Sequence, residues 1–428
     1  MYPFGLLPRY FSFIRTSLLL YTPSKVMKIL CPCVFKPDLQ VIIRQIIMIF
    51  RKRIFAFIFN VSFTVYNVLK ISDKNIAHHL HPRRIIIPVV LGLGVVLWLI
   101  LRDININILK QIDFTWKSVF WLFLAWCCMI CRDLGYMIRI RILSENDLNW
   151  MQAFRIIMLW EFTSAITPST VGGTAVAVVF IHKEGLSVGR STAVVLATSF
   201  LDELYFVIMF PLILLIVGSD ILFTTSIEGS GGALLNNLTF VAVAGYGLIL
   251  GWVLFVGYGL FFNPEGIRKT IIWFFKLPFL RKFKDAAVRA GNDIVESSHE
   301  LKRKPFSFWV KAFTATFLSW TSRYWVINAI LMAFFAISEH FLIFARQLVT
   351  WIMMIMSPTP GGSGFAEIIL GRYISDAIPV DAAHVGSIAL AMAIIWRIIS
   401  YYPYLIIGAS IIPGWIQRKF VKRSAEKK

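Results

Sequence analysis

Thr167-Pro168-Ser169-Thr170-Val171-Gly172-Gly173 and Ser357-Pro358-Thr359-Pro360-Gly361-Gly362-Ser363-Gly364 break two long apolar stretches of this chain with nearly the same polar, turn-forming signature. Proline removes a backbone donor and glycine adds chain entropy, so each break ends a helix where hydrocarbon supplies no substitute hydrogen bond. Such backbone survives only inside protein or facing water. The surroundings repeat as well: Arg155 and Trp160 lie 13 and 8 residues before Pro168, and Arg346 and Trp351 lie 12 and 7 before Pro358. Paired, Pro/Gly-interrupted apolar segments in corresponding halves point to a transporter's binding site.

The rest of the chain sets the medium. Of its 428 residues 58% are hydrophobic and 15% charged, and the mean hydropathy is +0.72, more apolar surface than a water-soluble core can hide. The chain therefore reads as an all-α, polytopic membrane protein. Its net charge of +20 excludes no membrane assignment, because Lys and Arg are retained on the cytoplasmic face, and no recognition motif accompanies them that would argue for nucleic acid. Five cysteines give no disulfide framework. Cys127, Cys128 and Cys131 sit in an apolar run as small packing residues, Cys31-Pro32-Cys33 is too short a cluster to specify a metal, and His78, His79 and His81 beside Arg83 and Arg84 suit a headgroup boundary. No cofactor, metal or catalytic residue is expected.

Three regions follow. Residues 1–84 form a basic N-terminal extension with 13 Lys or Arg and interrupted apolar runs, interfacial or disordered in part; 85–412 form the transmembrane domain; 413–428 form a basic tail. Six runs read as spans: 85–101, 117–138, 191–217, 238–262, 309–337 and 385–412. Around 156–180 and 341–371 the breaks leave pieces too short to span alone, which read as broken or re-entrant helical hairpins, about eight membrane segments in all. The glycines of 245–259 fit close helix packing.

Charge orients the arrangement. The segments 263–308 and 413–428 carry 10 and 6 Lys or Arg and 218–237 carries none, so the first two are cytoplasmic. Threading the spans on that basis gives 21 basic residues inside against 4 outside. It also makes the first hairpin enter from the cytoplasmic face and the second from the outer face, an inverted pseudo-repeat.

Charges remain at membrane depth: Arg132, Lys311, Arg323, Arg346 and Arg397 against Asp133, Glu161, Asp202, Glu203 and Glu367. Each costs on the order of 3 kcal/mol near the bilayer centre, so each should be paired or face a cavity, with Lys311 snorkelling to the headgroups. Half-helix N-termini after Gly172-Gly173 and Gly361-Gly362 present free N–H groups to an anion, arginine adds a bidentate contact, and carboxylates receive an amino group. The expected binding set is therefore Pro168, Ser169, Gly172 and Gly173 with Pro358, Thr359, Gly361 and Gly362, joined by Glu161, Asp202, Glu203, Glu367, Arg323 and Arg397. Arg397 is expected to be balanced by Glu161 or by Asp202-Glu203.

Pro168 to Gly173 with Gly185-Leu186-Ser187, and Pro358 to Glu367, resemble the two signature blocks of the lysylphosphatidylglycerol synthase transmembrane region, the flippase-like membrane family. Arg132-Asp133-Leu134-Gly135-Tyr136-Met137-Ile138-Arg139-Ile140-Arg141 is similar to that family's arginine-containing second helix, so the likeness spans about 80–415. The chain departs from the family pattern at Thr174 and Ala175, where an acid and an arginine are usual, and at Asp202-Glu203, where Glu-Arg is usual. The resemblance implies movement of a phospholipid, anionic or aminoacylated, between leaflets of the cell membrane, with a lipid-modifying enzyme as a possible partner. The bifunctional members' soluble transferase domain is not expected here, since 15 residues follow Pro413. A membrane-embedded transferase acting on a lipid-linked substrate and an ion or solute transporter are the alternative readings.

Overall fold

The computed structural model describes residues 114–166, 170–223, 232–274, 284–354, 365–380 and 382–421. Among them all regular structure is helical: α1 (Trp116–Leu143), α2 (Trp150–Ile166), α3 (Thr170–Glu184), α4 (Val188–Val217), α5 (Ser219–Phe223), α6 (Gly232–Phe261), α7 (Pro264–Phe274), α8 (Lys284–Lys302), α9 (Phe306–Phe334), α10 (His340–Met354), α11 (Phe365–Ile374), α12 (Ala382–Ser400) and α13 (Tyr402–Ile416). The N-terminal extension and the expected span 85–101 lie outside the described residues. Trp116–Leu143, Val188–Val217, Ala242–Phe261 and His384–Lys419 are long and apolar enough to cross a membrane. The expected span at 309–337 is α9, whose 29 residues are long enough, but Lys311, Arg323, Asn328 and its run of Ser and Thr lower its hydropathy. Much of its polar surface is buried against protein rather than lipid.

The centre is the antiparallel pair α1–α9, the most extensive helix contact among the described residues. Ser118 Oγ donates to the Ala333 carbonyl at 2.7 Å near one end, and Ser319 Oγ to the Arg132 carbonyl at 3.0 Å nearer the middle. The backbones approach closely because Gly135 has no side chain: a Cβ there would lie 2.2 Å from Ser319 Oγ and 2.8 Å from the Ala315 carbonyl oxygen.

Each broken segment folds as a helical hairpin. The limbs α2 and α3 have 17 and 15 residues, about 25 and 22 Å, and α10 and α11 have 15 and 10, about 22 and 15 Å, all short of a bilayer core of roughly 30 Å. Both hairpins are clipped at the base by an arginine that also marks the sequence repeat. Arg155 on α2 bonds Glu184 at the end of α3 through Nε (3.1 Å) and Nη2 (3.0 Å). Arg346 on α10 bonds Asp376 just past α11 at 3.1 Å and the Tyr373 carbonyl at 2.8 Å. α2 itself opens with a reciprocal cap: the Asn149 and Gln152 side chains each accept the other's backbone N–H at 2.8 Å.

Two prolines shape the long spans. Pro211 inside α4 leaves the Val207 carbonyl without its helical donor, and Tyr246 Oη on α6 supplies one at 3.2 Å. The expected continuous span 385–412 is instead two helices, α12 and α13, with Tyr401 between them at φ −132 and ψ −54. Pro403 lacks the N–H that would continue the helix through Ile399 and its ring crowds that carbonyl, so the chain breaks there.

Candidate functional site

The helix after the first break begins earlier than expected. α3 starts at Thr170, so Gly172 and Gly173 lie in its first turn and not ahead of it. Gly173 is a point of close approach: a Cβ there would sit 1.9 Å from Ser164 Oγ and 2.8 Å from Ser164 Cα on α2. Thr167, Pro168 and Ser169, and the second signature including Pro358, Thr359, Gly361 and Gly362, lie outside the described residues. α11 starts at Phe365, and its first turn holds Glu367, a residue of the chain itself where an anion was expected.

The membrane-depth charges resolve into two centres. In the first, Arg132 of α1 is wholly buried and pairs with Asp133 (Nη1 to Oδ1, 2.9 Å) and with Glu161 of α2 (Nη2 to Oε1, 2.6 Å). Its guanidinium carbon lies 4.7 Å from the Tyr136 ring centroid and 4.9 Å from that of Tyr404. Four residues on, one turn at the same face, is Tyr136; seven on is Arg139, which pairs with Asp202 of α4 through both Nη atoms and bonds Thr316 Oγ1 of α9 at 3.1 Å. Trp320 Nε1 also donates to Asp202, at 2.6 Å. Arg323 stacks 5.5 Å from the Trp320 ring and 4.8 Å from that of Trp351. Oε2 of Glu203, beside Asp202, is buried without a hydrogen-bond partner among the described residues.

The second centre is built on one buried ion pair among the described residues. Arg397 Nε of α12 meets Glu367 Oε1 of α11 at 2.9 Å, with only 3% and 1% of the two side chains exposed. The Trp396 and Tyr401 rings flank the guanidinium, both 4.9 Å from its carbon. The balance expected for Arg397 is therefore corrected: its carboxylate is Glu367, while Glu161 and Asp202 pair with Arg132 and Arg139 on α1. The reason is topological, since α11 and α12 are adjacent in the second half and α1 reaches α2 and α4 in the first.

One strip of the last span joins the centres. Arg397, Tyr401 and Tyr404 follow at helical spacing across the Pro403 break. Arg397 holds Glu367, Tyr401 Oη donates to the Ala165 carbonyl at 2.9 Å, and Tyr404 Oη donates to Asp133 at 3.0 Å (Oδ1) and 2.9 Å (Oδ2). Ala165 stands two residues before the first break, so the half-helix after the second break is coupled to the end of the helix before the first. Sequence reasoning missed Arg139, Tyr401 and Tyr404. Arg139 falls one residue past the expected span 117–138, although its seven-residue spacing from Arg132 places both on one helical face; the tyrosines carry no charge signal.

Lys311 is exposed. Arg346 lies at the base of the second hairpin, where it also bonds the Ile221 carbonyl at 3.1 Å.

Residues 85–408 match the model of the lysylphosphatidylglycerol synthase transmembrane region. A UPF0104 membrane protein of Archaeoglobus fulgidus is 27% identical over 330 residues, covering 72% of this chain and 93% of that relative. No solved structure matches the chain.

Proposed function

The chain belongs to the lysylphosphatidylglycerol synthase transmembrane-region family, and from that premise we propose that it is a lipid translocase, moving a phospholipid or lipid-linked headgroup between leaflets past the two helix breaks. The observation that carries the reading is the Arg397–Tyr401–Tyr404 strip, which ties Glu367 after one break to Ala165 before the other and to the Arg132 centre. A headgroup phosphate competes with Glu367 for Arg397 and with Glu161 for Arg132, and an amino headgroup takes the released carboxylates. Acyl chains stay in hydrocarbon while the charged group crosses on protein partners.

The neighbour pattern supports an inverted repeat of about eight segments. α1 and α9 precede the two hairpins and run antiparallel; α3 packs on α4 as α11 packs on α12; and an arginine–carboxylate clip closes each hairpin. The charge distribution supports reading it as a protein of the cell membrane with a cytoplasmic C-terminus, and on this proposal it acts without covalent chemistry of its own and serves a lipid-modifying enzyme.

Leaflet exchange of a fluorescent phosphatidylglycerol in liposomes holding the purified protein tests the reading. Wild type should accelerate exchange over protein-free liposomes, and Glu161→Gln should slow it by roughly tenfold, the scale of one charge-assisted hydrogen bond, with folding intact. Exchange equal to that of empty liposomes sinks the lipid reading. Substrate-driven charge movement in its place would establish an ion or solute carrier, and headgroup transfer a transferase.

A further inference from the structure

At the base of the first hairpin, away from the strip that joins the two breaks, lies a cavity of about 270 Å³ lined by Arg155, Trp415, Arg418 and Lys419. It is built around one buried carboxylate. Glu184, whose side chain is wholly buried, accepts from Arg155, from Trp415 Nε1 at 2.8 Å and from Lys419 Nζ at 2.9 Å. Trp415 is only 3% exposed and is held edge-on against Phe180, their centroids 5.2 Å apart, so it forms a fixed wall. Arg155 and Lys419 keep about a quarter of their side chains exposed, 23% and 27%, and Arg418 is exposed.

The charge does not balance. Three cations line the cavity against one carboxylate, and Glu184 holds two of them, engaging only part of the donor sets of Arg155 and Lys419. Glu184 pre-aligns Arg155 and Lys419, which lowers the entropy a ligand must overcome in gathering them. The cavity sits where α2 begins and α3 and α13 end, the level at which an indole and basic side chains meet headgroups. The geometry points to a binding site for a phosphate group here, that of an anionic phospholipid standing in the adjoining leaflet. It is a holding site at the helix ends, separate from the crossing path, and it stands whether or not lipid crosses.

The full-length protein reconstituted in phosphatidylcholine vesicles with a minor fraction of phosphatidylglycerol tests this, with retained lipid identified by native mass spectrometry. Arg418→Gln with Lys419→Gln should lower retained phosphatidylglycerol about tenfold, since charge-assisted contacts of that size are lost, while Arg155 keeps Glu184 paired and the fold intact. Lys302→Gln with Arg303→Gln, equal in charge and outside the cavity, should change retention little. Equal loss in both pairs, or no loss in the first, overturns the site. Inorganic phosphate added to the detergent-purified protein separates the sources. A thermal stabilisation by phosphate alone that the cavity pair abolishes assigns the site to soluble phosphate, and retention of phosphatidylglycerol without it assigns the site to lipid. Failure of both probes overturns the proposal.

Discussion

In the first half Arg132 is shared by Asp133 and Glu161, which keep 20% and 24% of their side chains exposed; in the second half Arg397 and Glu367 pair with only 3% and 1% exposed. The same plan, a guanidinium against a carboxylate beside a chain break, has produced an open centre and a shut one. The open centre has surplus acid: Arg132, Arg139 and Arg323 stand among Asp133, Glu161, Asp202 and Glu203. Its two acids on Arg132 keep part of their surface exposed. The shut centre admits a ligand only after Glu367 is displaced, so it has the form of a gate. On the proposed carrier reading, such asymmetry would keep two open centres from leaving a continuous polar path in any single conformation.

The largest expected effect breaks the shut centre. Arg397→Gln strands Glu367 in the interior, and a stranded buried charge costs about 3–5 kcal/mol. Thermal unfolding in detergent should show a deep loss for Arg397→Gln and for Glu367→Gln singly, and much of it should return in Arg397→Met with Glu367→Leu, where no charge remains. Glu161→Gln should be far milder in stability, because the partly exposed centre keeps Asp133 on Arg132. Comparable losses at Glu161 and Glu367 would erase the distinction between open and shut.

A smaller effect tests the hairpin beside the open centre. Gly173→Ala places a Cβ against Ser164 Cα, backbone that cannot rotate away, so overpacking of about 1–3 kcal/mol is expected as the limbs part. Gly247→Ala and Gly251→Ala in α6 meet nothing within 4 Å and should be close to neutral. Stability of Gly173→Ala within error of wild type would mean that α2 and α3 do not touch as described.

Helix type and extent were legible in the sequence because hydrocarbon allows few alternatives: uninterrupted apolar length gave 191–217 against the observed Val188–Val217, and Pro/Gly clusters located both hairpins. The paired arginines Arg155 and Arg346 announced the repeat, yet their shared role as hairpin clips needed the partners Glu184 and Asp376, which lie past the breaks and are fixed by how each hairpin folds back. The break at Tyr401 was written in Pro403 but hidden by the apolar run around it. The pairing of Arg397 was not legible. Sequence gives the sign and depth of a charge, and only packing selects among several acids at one depth; α11 against α12 chose Glu367. The tyrosines that carry the link between centres look like any aromatic in a membrane span.

The smallest effect concerns the two hairpin bases and can be read through pH. Burial alone would raise the Glu184 carboxyl, but hydrogen bonds from Arg155, Lys419 and Trp415 outweigh it and hold the group below its ordinary value of 4.5. A carboxyl lowered on folding adds stability that is present above its unfolded value and is lost as pH falls through the folded one, because the unfolded chain then binds the proton more readily. The wild-type advantage over Glu184→Gln in thermal midpoint should therefore be constant from about pH 7 down to the ordinary glutamate range near 4.3 and shrink below it. A midpoint difference that does not change into that acid range would show that Glu184 holds the hairpin by shape and not by charge. The same comparison with Asp376→Asn then ranks the clips: Glu184 is held by Arg155, Trp415 and Lys419, while Asp376 is held by Arg346, whose guanidinium also binds two backbone carbonyls. Loss of the charge should accordingly cost the first hairpin more than the second, since in the second the carbonyl contacts of Arg346 remain.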